Sequence, residues 1–597
     1  MAAEPLSAQQ ACAGLTQMSE LRCDGRVLYW LQSEPGSGCA RLWHLSPGGP
    51  VPVPGVDGAV RSRVNGYGGG AYAVLDGQIA WVDEDQSLWW QGPQSPARRL
   101  HFADGGAWGG LVADHRRQRV LAVREQAHGQ SLVAMTRDGD LQVLHSGQDF
   151  YSAPTISGDG RLLAWVSWSL PDMPWHRSQL WLAQLDKAGR VDHARCLPTP
   201  AEGSVQQPRF EGSGLMVLSD HDGWWQPYQV SADNRWQRLN NTRTDHANAP
   251  WQLAECHACS LAGGQQAWVR FSAGYGQLWL SGPDEPFQVA GGFADVRALV
   301  RHGRRLACIA RFPDRQDAVI EVCPETGQWA TLAGGARVPD AVVPESLQVP
   351  APDGVHPLQV FYYPPVAGQP MPPPAVFLVH GGPTSAAYAA YNPQVQFWCQ
   401  RGFAVVDVNY RGSSGFGRAF RESLREQWGR ADVEDLMAVA RVLAAQGRID
   451  ARRRSILGRS AGGYTALMAA MSGGEFSAAG SQFGVSDPMS LRAATHRFES
   501  GYLDWLLGCP DTHPDSWHER TPARNPERLR CPAIFFQGRQ DTVVVPEQTR
   551  AMVSALKAAG AKVECHWFDD EGHGFRRAEN QAFMLDATHR FFSRAGQ

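Results

Sequence analysis

Between Arg22 and Ala341 one unit recurs seven times at intervals of about 40 to 50 residues: a polar residue, an apolar and usually aromatic strand, then a Gly or Asp turn. The units centre on Arg41-Leu42-Trp43, Ser87-Leu88-Trp89, Ser131-Leu132-Val133, Gln179-Leu180-Trp181, Gln226-Pro227-Tyr228, Gln277-Leu278-Trp279 and Ala318-Val319-Ile320. That period is the length of one four-stranded blade, which cannot bury its own faces and must stack on its neighbours around an axis. Stretches such as SGDGRLLAWVSW (Ser157 to Trp168) and GSGLMVLSD (Gly212 to Asp220) precede the units, with a turn opening an apolar run, as an inner strand feeding an outer one requires. A β-sandwich also has short strands but does not keep so steady a spacing. The third and seventh units lack an aromatic, which leaves six or eight blades open beside seven. The 22 tryptophans favour wide aromatic-lined sheets over helical bundles.

Past the proline-rich stretch VPDAVVPESLQVPAPDGVHPLQVFYYPP the pattern changes. Ala375 to Val379, Phe403 to Val408, Ser455 to Leu457, Ala479 to Phe483, Ala533 to Gln537 and Lys562 to Phe568 read as strands, separated by helical stretches such as VEDLMAVARVLAAQG and PEQTRAMVSALKAAG. This alternation predicts a mostly parallel sheet covered on both faces, with ligands beyond the carboxyl ends of its strands.

One such end carries Gly458-Arg459-Ser460-Ala461-Gly462, the only G-x-S-x-G in the chain, between a strand and a helix of small residues. The setting is that of a nucleophile elbow, whose sharp turn leaves no room for β-carbons at the flanks. A serine needs a histidine to take its proton and a carboxylate to orient that histidine, and in α/β-hydrolases these follow in the order acid, then His. Asp541 lies on the loop after Ala533 to Gln537, and His573 on the loop after the next strand, so both fall at the sheet edge of Ser460. Asp487, Asp504 and Asp511 lie in loop and helix regions, and Asp569, Asp570 and Glu571 read as solvating the histidine's loop. His566 falls inside a strand and His589 inside the terminal helix, where packing is the default role. Oxyanion donors are expected from the N–H of Ala461 and from the loop His380-Gly381-Gly382-Pro383, with His380 itself structural. The glycine-rich NYRGSSGFG (Asn409 to Gly417) lacks the Gly-Lys-Ser/Thr end of a phosphate loop and reads as support for the site.

The chain therefore divides into a β-propeller, residues 1–341 including an N-terminal extension, and an α/β-hydrolase domain, residues 342–597. A net charge of -4 with no basic stripe argues against nucleic acid. No run of about 18 apolar residues is present, which argues against a membrane span. The twelve cysteines are irregularly spaced, and Cys256-x-x-Cys259 has no second ligand pair, so no metal or cofactor is expected. With no cationic start followed by an apolar run at the N-terminus, the expected compartment is the cytoplasm.

His380-Gly381-Gly382-Pro383, Asn409-Tyr410-Arg411-Gly412-Ser413, Trp428-Gly429 with Asp432 and Asp435, Gly458 to Tyr464, Asp541 and Glu571-Gly572-His573-Gly574-Phe575 together resemble the catalytic domain of the prolyl oligopeptidase family. The nearest likeness is to its acylaminoacyl-peptidase and bacterial dipeptidyl-aminopeptidase members, and NGYGGGAY (Asn65 to Tyr72) extends it into the propeller. The resemblance implies Ser460 as nucleophile, His573 as base, Asp541 as its orienter, and Gly382 and Ala461 as oxyanion donors. It also implies an apolar pocket lined by Val485, Phe498 and Val544. Prolyl oligopeptidase and dipeptidyl peptidase members carry a tyrosine where His380 stands, so a backbone donor must serve here, as in acylaminoacyl peptidases. Val543 stands where acylaminoacyl peptidases often carry a carbonyl-holding arginine, and no paired glutamates for a free amine are evident on a propeller helix. The expected function is a serine peptidase on short peptides, with the propeller restricting access. A carboxylesterase and a non-catalytic propeller scaffold are the alternatives, and self-association is left open.

Overall fold

Trp30, Trp81, Trp165 and Trp268 each stand directly across from a tryptophan of the next strand, Trp43, Trp89, Trp181 and Trp279. Cross-strand pairs of this size are the strongest local ties a sheet has; the Trp81–Trp89 and Trp165–Trp181 rings stack at 5.9 Å. In the computed structural model, which describes all residues except 1–3, 15, 34–37, 213, 283, 367–370 and 596–597, each pair joins the second and third strands of one blade. All seven units found by sequence are third strands. The two without an aromatic are built the same way from aliphatic pairs, Val123 across from Leu132 and Ile309 across from Val319.

The blades are seven, spanning residues 18–52, 72–101, 107–146, 150–197, 205–238, 258–288 and 295–334. No strand is exchanged between the first and the last blade among the described residues; the ring closes by packing Met18, Leu21, Leu28 and Trp30 on Ala307, Ile309, Val319 and Ala333.

The second domain is built on eight strands: β1 (Glu345–Pro350), β2 (Pro357–Tyr363), β3 (Ala375–Val379), β4 (Ala404–Asn409), β5 (Arg454–Arg459), β6 (Ala478–Gln482), β7 (Ala533–Gly538) and β8 (Val563–Phe568), in the order β1-β2-β4-β3-β5-β6-β7-β8. The six strands expected from sequence, β3 to β8, are parallel; β1 and β2 form an antiparallel hairpin added at one edge. The prolines that masked this hairpin sit at its strand ends, where Pro350 pairs with Pro357 and no interior ladder bond is lost.

Six helices cover the sheet: α1 (Ala8–Ala13), α2 (Pro393–Cys399), α3 (Ala431–Ala445), α4 (Ala461–Ser472), α5 (Pro546–Ala558) and α6 (Ala578–Arg594). One face carries α3, α4 and α5, the other α1, α2 and α6. Thus the N-terminal extension, grouped with the propeller by sequence, packs on the hydrolase sheet's flank: Ser7 and Gln10 form a capping box, and Ala8, Ala11 and Cys12 bury a small-residue face against α2 and α6.

The loop Asn409 to Gly417 and the short helix Arg418–Glu422 bolt the domains together. Arg421, fully buried, donates to Asp220 of the fifth blade and lies 4.0 Å over the Trp225 ring, while Arg418 Nη1 is 3.2 Å from the same carboxylate. Asp245 accepts from the N–H groups of Trp225 and Gly417, each at 2.8 Å, and burial pushes its carboxyl up to about 6 against the pull of Arg421. Removing one partner of a buried pair strands the other charge, so Asp220→Asn is expected to cost about 3 kcal/mol or more. Asp220→Asn/Arg421→Met should recover part of that loss. Urea midpoints of the three proteins test this, and an Asp220→Asn midpoint equal to the parent's would show the pair to be dispensable.

Candidate active site

The turn from β5 into α4 puts Ser460 at φ 53°, ψ -127°, a left-handed conformation that costs a non-glycine residue about 1–3 kcal/mol. The flanking glycines make the turn sterically feasible. A β-carbon on Gly458 would stand 2.0 Å from Gly462 O, and one on Gly462 would stand 2.2 Å from Val379 O. The strain lifts the Ser460 hydroxyl clear of the sheet at the carboxyl ends of β3, β5 and β6.

Asp541, on the loop after β7, and His573, on the loop after β8, arrive at the same edge. His573 Nε2 lies 3.0 Å from Ser460 Oγ, and its Nδ1 lies 2.9 Å from Asp541 Oδ2. Asp541 is 3% exposed; its Oδ1 accepts from the N–H groups of Val543 and Val544, each at 2.9 Å, and Gln537 Nε2 donates to Oδ2 at 3.3 Å. These donors fix the orientation of the carboxyl group so that Oδ2 faces the imidazole. The competing acids lie elsewhere. Asp487 caps the helix Pro488–Ala494, and Asp504 pairs with Arg492. Glu571 does not solvate its loop as the sequence suggested: it is buried and accepts from Arg576 N, Arg577 N and Asn580 Nδ2, so it staples the histidine loop to the start of α6.

Among the described residues, neither Ala461 N–H nor Gly382 N–H donates to a protein acceptor, and both residues border the same cavity as Ser460. His380 shapes this loop without facing the serine. Its ring stacks on Tyr410 at 4.3 Å, Nε2 lies 2.8 Å from Ser413 Oγ, Nδ1 lies 2.9 Å from Gly381 O, and Tyr410 OH donates to its carbonyl. Burial pushes the imidazole down to about 4, so it is neutral in the folded protein.

The cavity holds about 780 Å³ between the domains. Val485 and Val544 line it, with Leu491, Leu503 and Leu506 beside them. Phe498, expected there too, is instead on a one-turn helix that wedges against the propeller. Its ring packs against Tyr67, Phe150, Trp168 and Trp251 and does not border the cavity. From the propeller come Tyr67, Trp251 and Glu255, none of them singled out by sequence. Tyr67 OH donates to Glu499 at 2.5 Å, and Trp251 Nε1 donates to Thr384 O of the oxyanion loop at 2.6 Å. The signal for Tyr67 was the glycine run beside it: a β-carbon on Gly69 would meet Leu253 O at 2.3 Å, so the run packs backbone to backbone. Glu255 has a buried Oε2 without a partner, and burial pushes its carboxyl up to about 7.

The neutral His380 gives a signed prediction. An imidazole at about 4 when folded and about 6.5 when unfolded contributes stability above pH 6.5 that is lost as pH falls towards 4. The difference in melting temperature, His380→Gln minus parent, should therefore become more positive on acidification from about pH 7 to about pH 4.5. A difference that stays constant would show that His380 titrates alike in both states.

Comparison with known proteins agrees with this geometry. Residues 389–597 match the prolyl oligopeptidase family. The chain is 32% identical over 231 residues to dipeptidyl aminopeptidase BIII of Pseudoxanthomonas mexicana, covering 37% of this chain and 33% of that protein. It is 26% identical over 218 residues to acylamino-acid-releasing enzyme 1 of Oryza sativa subsp. japonica, covering 35% and 28%. The matched stretch thus spans about a third of the length of these curated relatives. A solved Mycobacterium tuberculosis puromycin-hydrolyzing peptidase superposes with a TM-score of 0.93 at 29% identity, covering 99% of this chain and 96% of that one. Residues 389–597 of this chain thus carry the domain of the prolyl oligopeptidase family.

Proposed function

We propose that the protein is a serine peptidase that cleaves short peptides through an acyl-enzyme. The observation that carries this is the continuous Ser460, His573, Asp541 hydrogen-bond chain, 3.0 and 2.9 Å, opening into a cavity roofed by the propeller. His573 Nε2 takes the Ser460 proton as Oγ attacks the scissile carbonyl, and Asp541 holds the ring and stabilises the imidazolium. The carbonyl oxygen, now negative, accepts from the N–H groups of Ala461 and Gly382, which have no other acceptor among the described residues. The C–N bond breaks as His573 returns the proton to the leaving amine, and a water activated by His573 then hydrolyses the ester.

Val485 and Val544 form the wall that takes the residue before the cut. Roofing of the cavity excludes water from the developing charge and folded proteins from the serine. That similar proteins are named as dipeptidyl aminopeptidase, acylamino-acid-releasing enzyme and puromycin-hydrolyzing peptidase supports small substrates cut near one end. The chemistry needs no cofactor. No described helix is long and apolar enough to cross a membrane, and cysteines not joined in disulfides among the described residues fit a cytoplasmic enzyme.

A fluorophosphonate probe should label the native protein and not Ser460→Ala, and the variant's kcat/KM on aminoacyl or acyl-peptide nitroanilides should fall by about 10⁴-fold. Labelling that persists in Ser460→Ala would remove the nucleophile assignment. Turnover of p-nitrophenyl esters alone would make the protein an esterase.

A further inference from the structure

Arg459 stands between the elbow glycine and the nucleophile, at the last position of β5. It lies deep between the domains, yet much of its surface is open, and that surface borders two cavities. One is the 780 Å³ space containing Ser460 and His573; the other, about 360 Å³, lies behind the oxyanion loop. Among the described residues its guanidinium makes no hydrogen bond and no close ion pair. The one opposite charge that acts on it is Asp407 of β4, which itself has no hydrogen-bond partner. Arg311, the other cation bordering the second cavity, is engaged with Asp295 and Asp317. A guanidinium open to a cavity, with none of its five donors committed to a protein acceptor among the described residues, is available to an anion, and its planar fork matches a carboxylate.

The position selects which carboxylate. The wall of Val485, Val544, Leu491 and Leu503 borders the first cavity only, whereas Arg459, Gln482 and Met584 border both. Arg459 therefore opens on one side to a space that the acyl wall does not reach, bordered also by Met584 of α6, whose neighbour Gln581 donates through Nε2 to Phe575 O of the His573 loop at 2.7 Å. His573 delivers its proton to the leaving amine, so the leaving fragment lies on this side. One or two residues, at about 3.8 Å per residue, bring its terminal carboxylate within reach of a side chain that neighbours the nucleophile.

We infer that Arg459 receives the free α-carboxylate of the leaving fragment, so that the site favours di- and tripeptides with an unblocked carboxyl end. This rests on the peptidase function proposed for the site, but it is read from binding rather than turnover. In calorimetric titration of Ser460→Ala, a short peptide with an apolar residue before a C-terminal Gly or Gly-Gly should bind at least ~10-fold more tightly as the free acid than as the C-terminal amide. Ser460→Ala/Arg459→Gln should lose that preference while still binding the amide, and Ser460→Ala/Arg459→Lys should recover part of it. Equal binding of acid and amide by Ser460→Ala, or an unchanged acid preference in the Arg459→Gln protein, overturns the assignment. Equal weakening of acid and amide, with no recovery in the Lys variant, overturns it too, because the residue then only shapes the elbow. A failure of the peptidase function itself would appear separately, as a native protein that turns over no nitroanilide.

Discussion

The contact on which the rest depends is the buried ionic bolt between the domains, Asp220 with Arg421 and Arg418, and Asp245 on the N–H of Gly417. It fixes the far end of the loop whose near end shapes the site. Ser413 of that loop holds His380, Ser414 N donates to Ser385 O at 2.7 Å, and Ala249 N of the propeller donates to Ser414 Oγ at 2.7 Å. Trp251 reaches Thr384 directly. The propeller is thus more than a cover, because its side chains are hydrogen-bonded into the loop that presents Gly382. Separating the domains would both wet the cavity and release the oxyanion loop, so an assembled interface and a competent site go together.

Much of this was legible in the sequence because the informative positions obey local rules. A third strand of a blade pairs with the second across large apolar residues, so a short apolar or aromatic core recurs with the blade period. The outermost strands, such as Val191–Leu197, alternate with solvent and leave only a weak trace. The elbow, the acid and the base were legible because each sits where a parallel strand ends, and strand ends are marked by glycines and turns. The β1–β2 hairpin was missed because prolines at its ends look like a linker. Helix α1 was missed as part of the hydrolase because its buried face, Ala8, Ala11 and Cys12, is too small to say which domain it will cover.

The pocket was the least legible part, for a physical reason. Val485 and Phe498 are both apolar, both nearly fully buried and both near the ends of elements, and nothing local distinguishes a wall of a cavity from the inside of a core. What separates them is the partner surface: Phe498 finds Tyr67, Phe150, Trp168 and Trp251 of the propeller, and Val485 finds empty space. Tyr67, Trp251 and Glu255 face the serine only because the ring of blades closes with their loops on the hydrolase side. A one-dimensional pattern does not encode that closure.

Several departures from ordinary folding rules gather around the cavity of Ser460. Ser460 holds a left-handed backbone, Ala461 and Gly382 present N–H groups without acceptors, and Arg459 carries a charge without a close partner. Under the function proposed above, each would meet a different part of one substrate: Ser460 Oγ the carbonyl carbon, the N–H pair the oxygen, and the guanidinium the terminal anion. Buried carboxylates such as Asp541 and Glu571, by contrast, are matched to donors. Unmatched groups that border one cavity are those whose remaining interactions a ligand can complete.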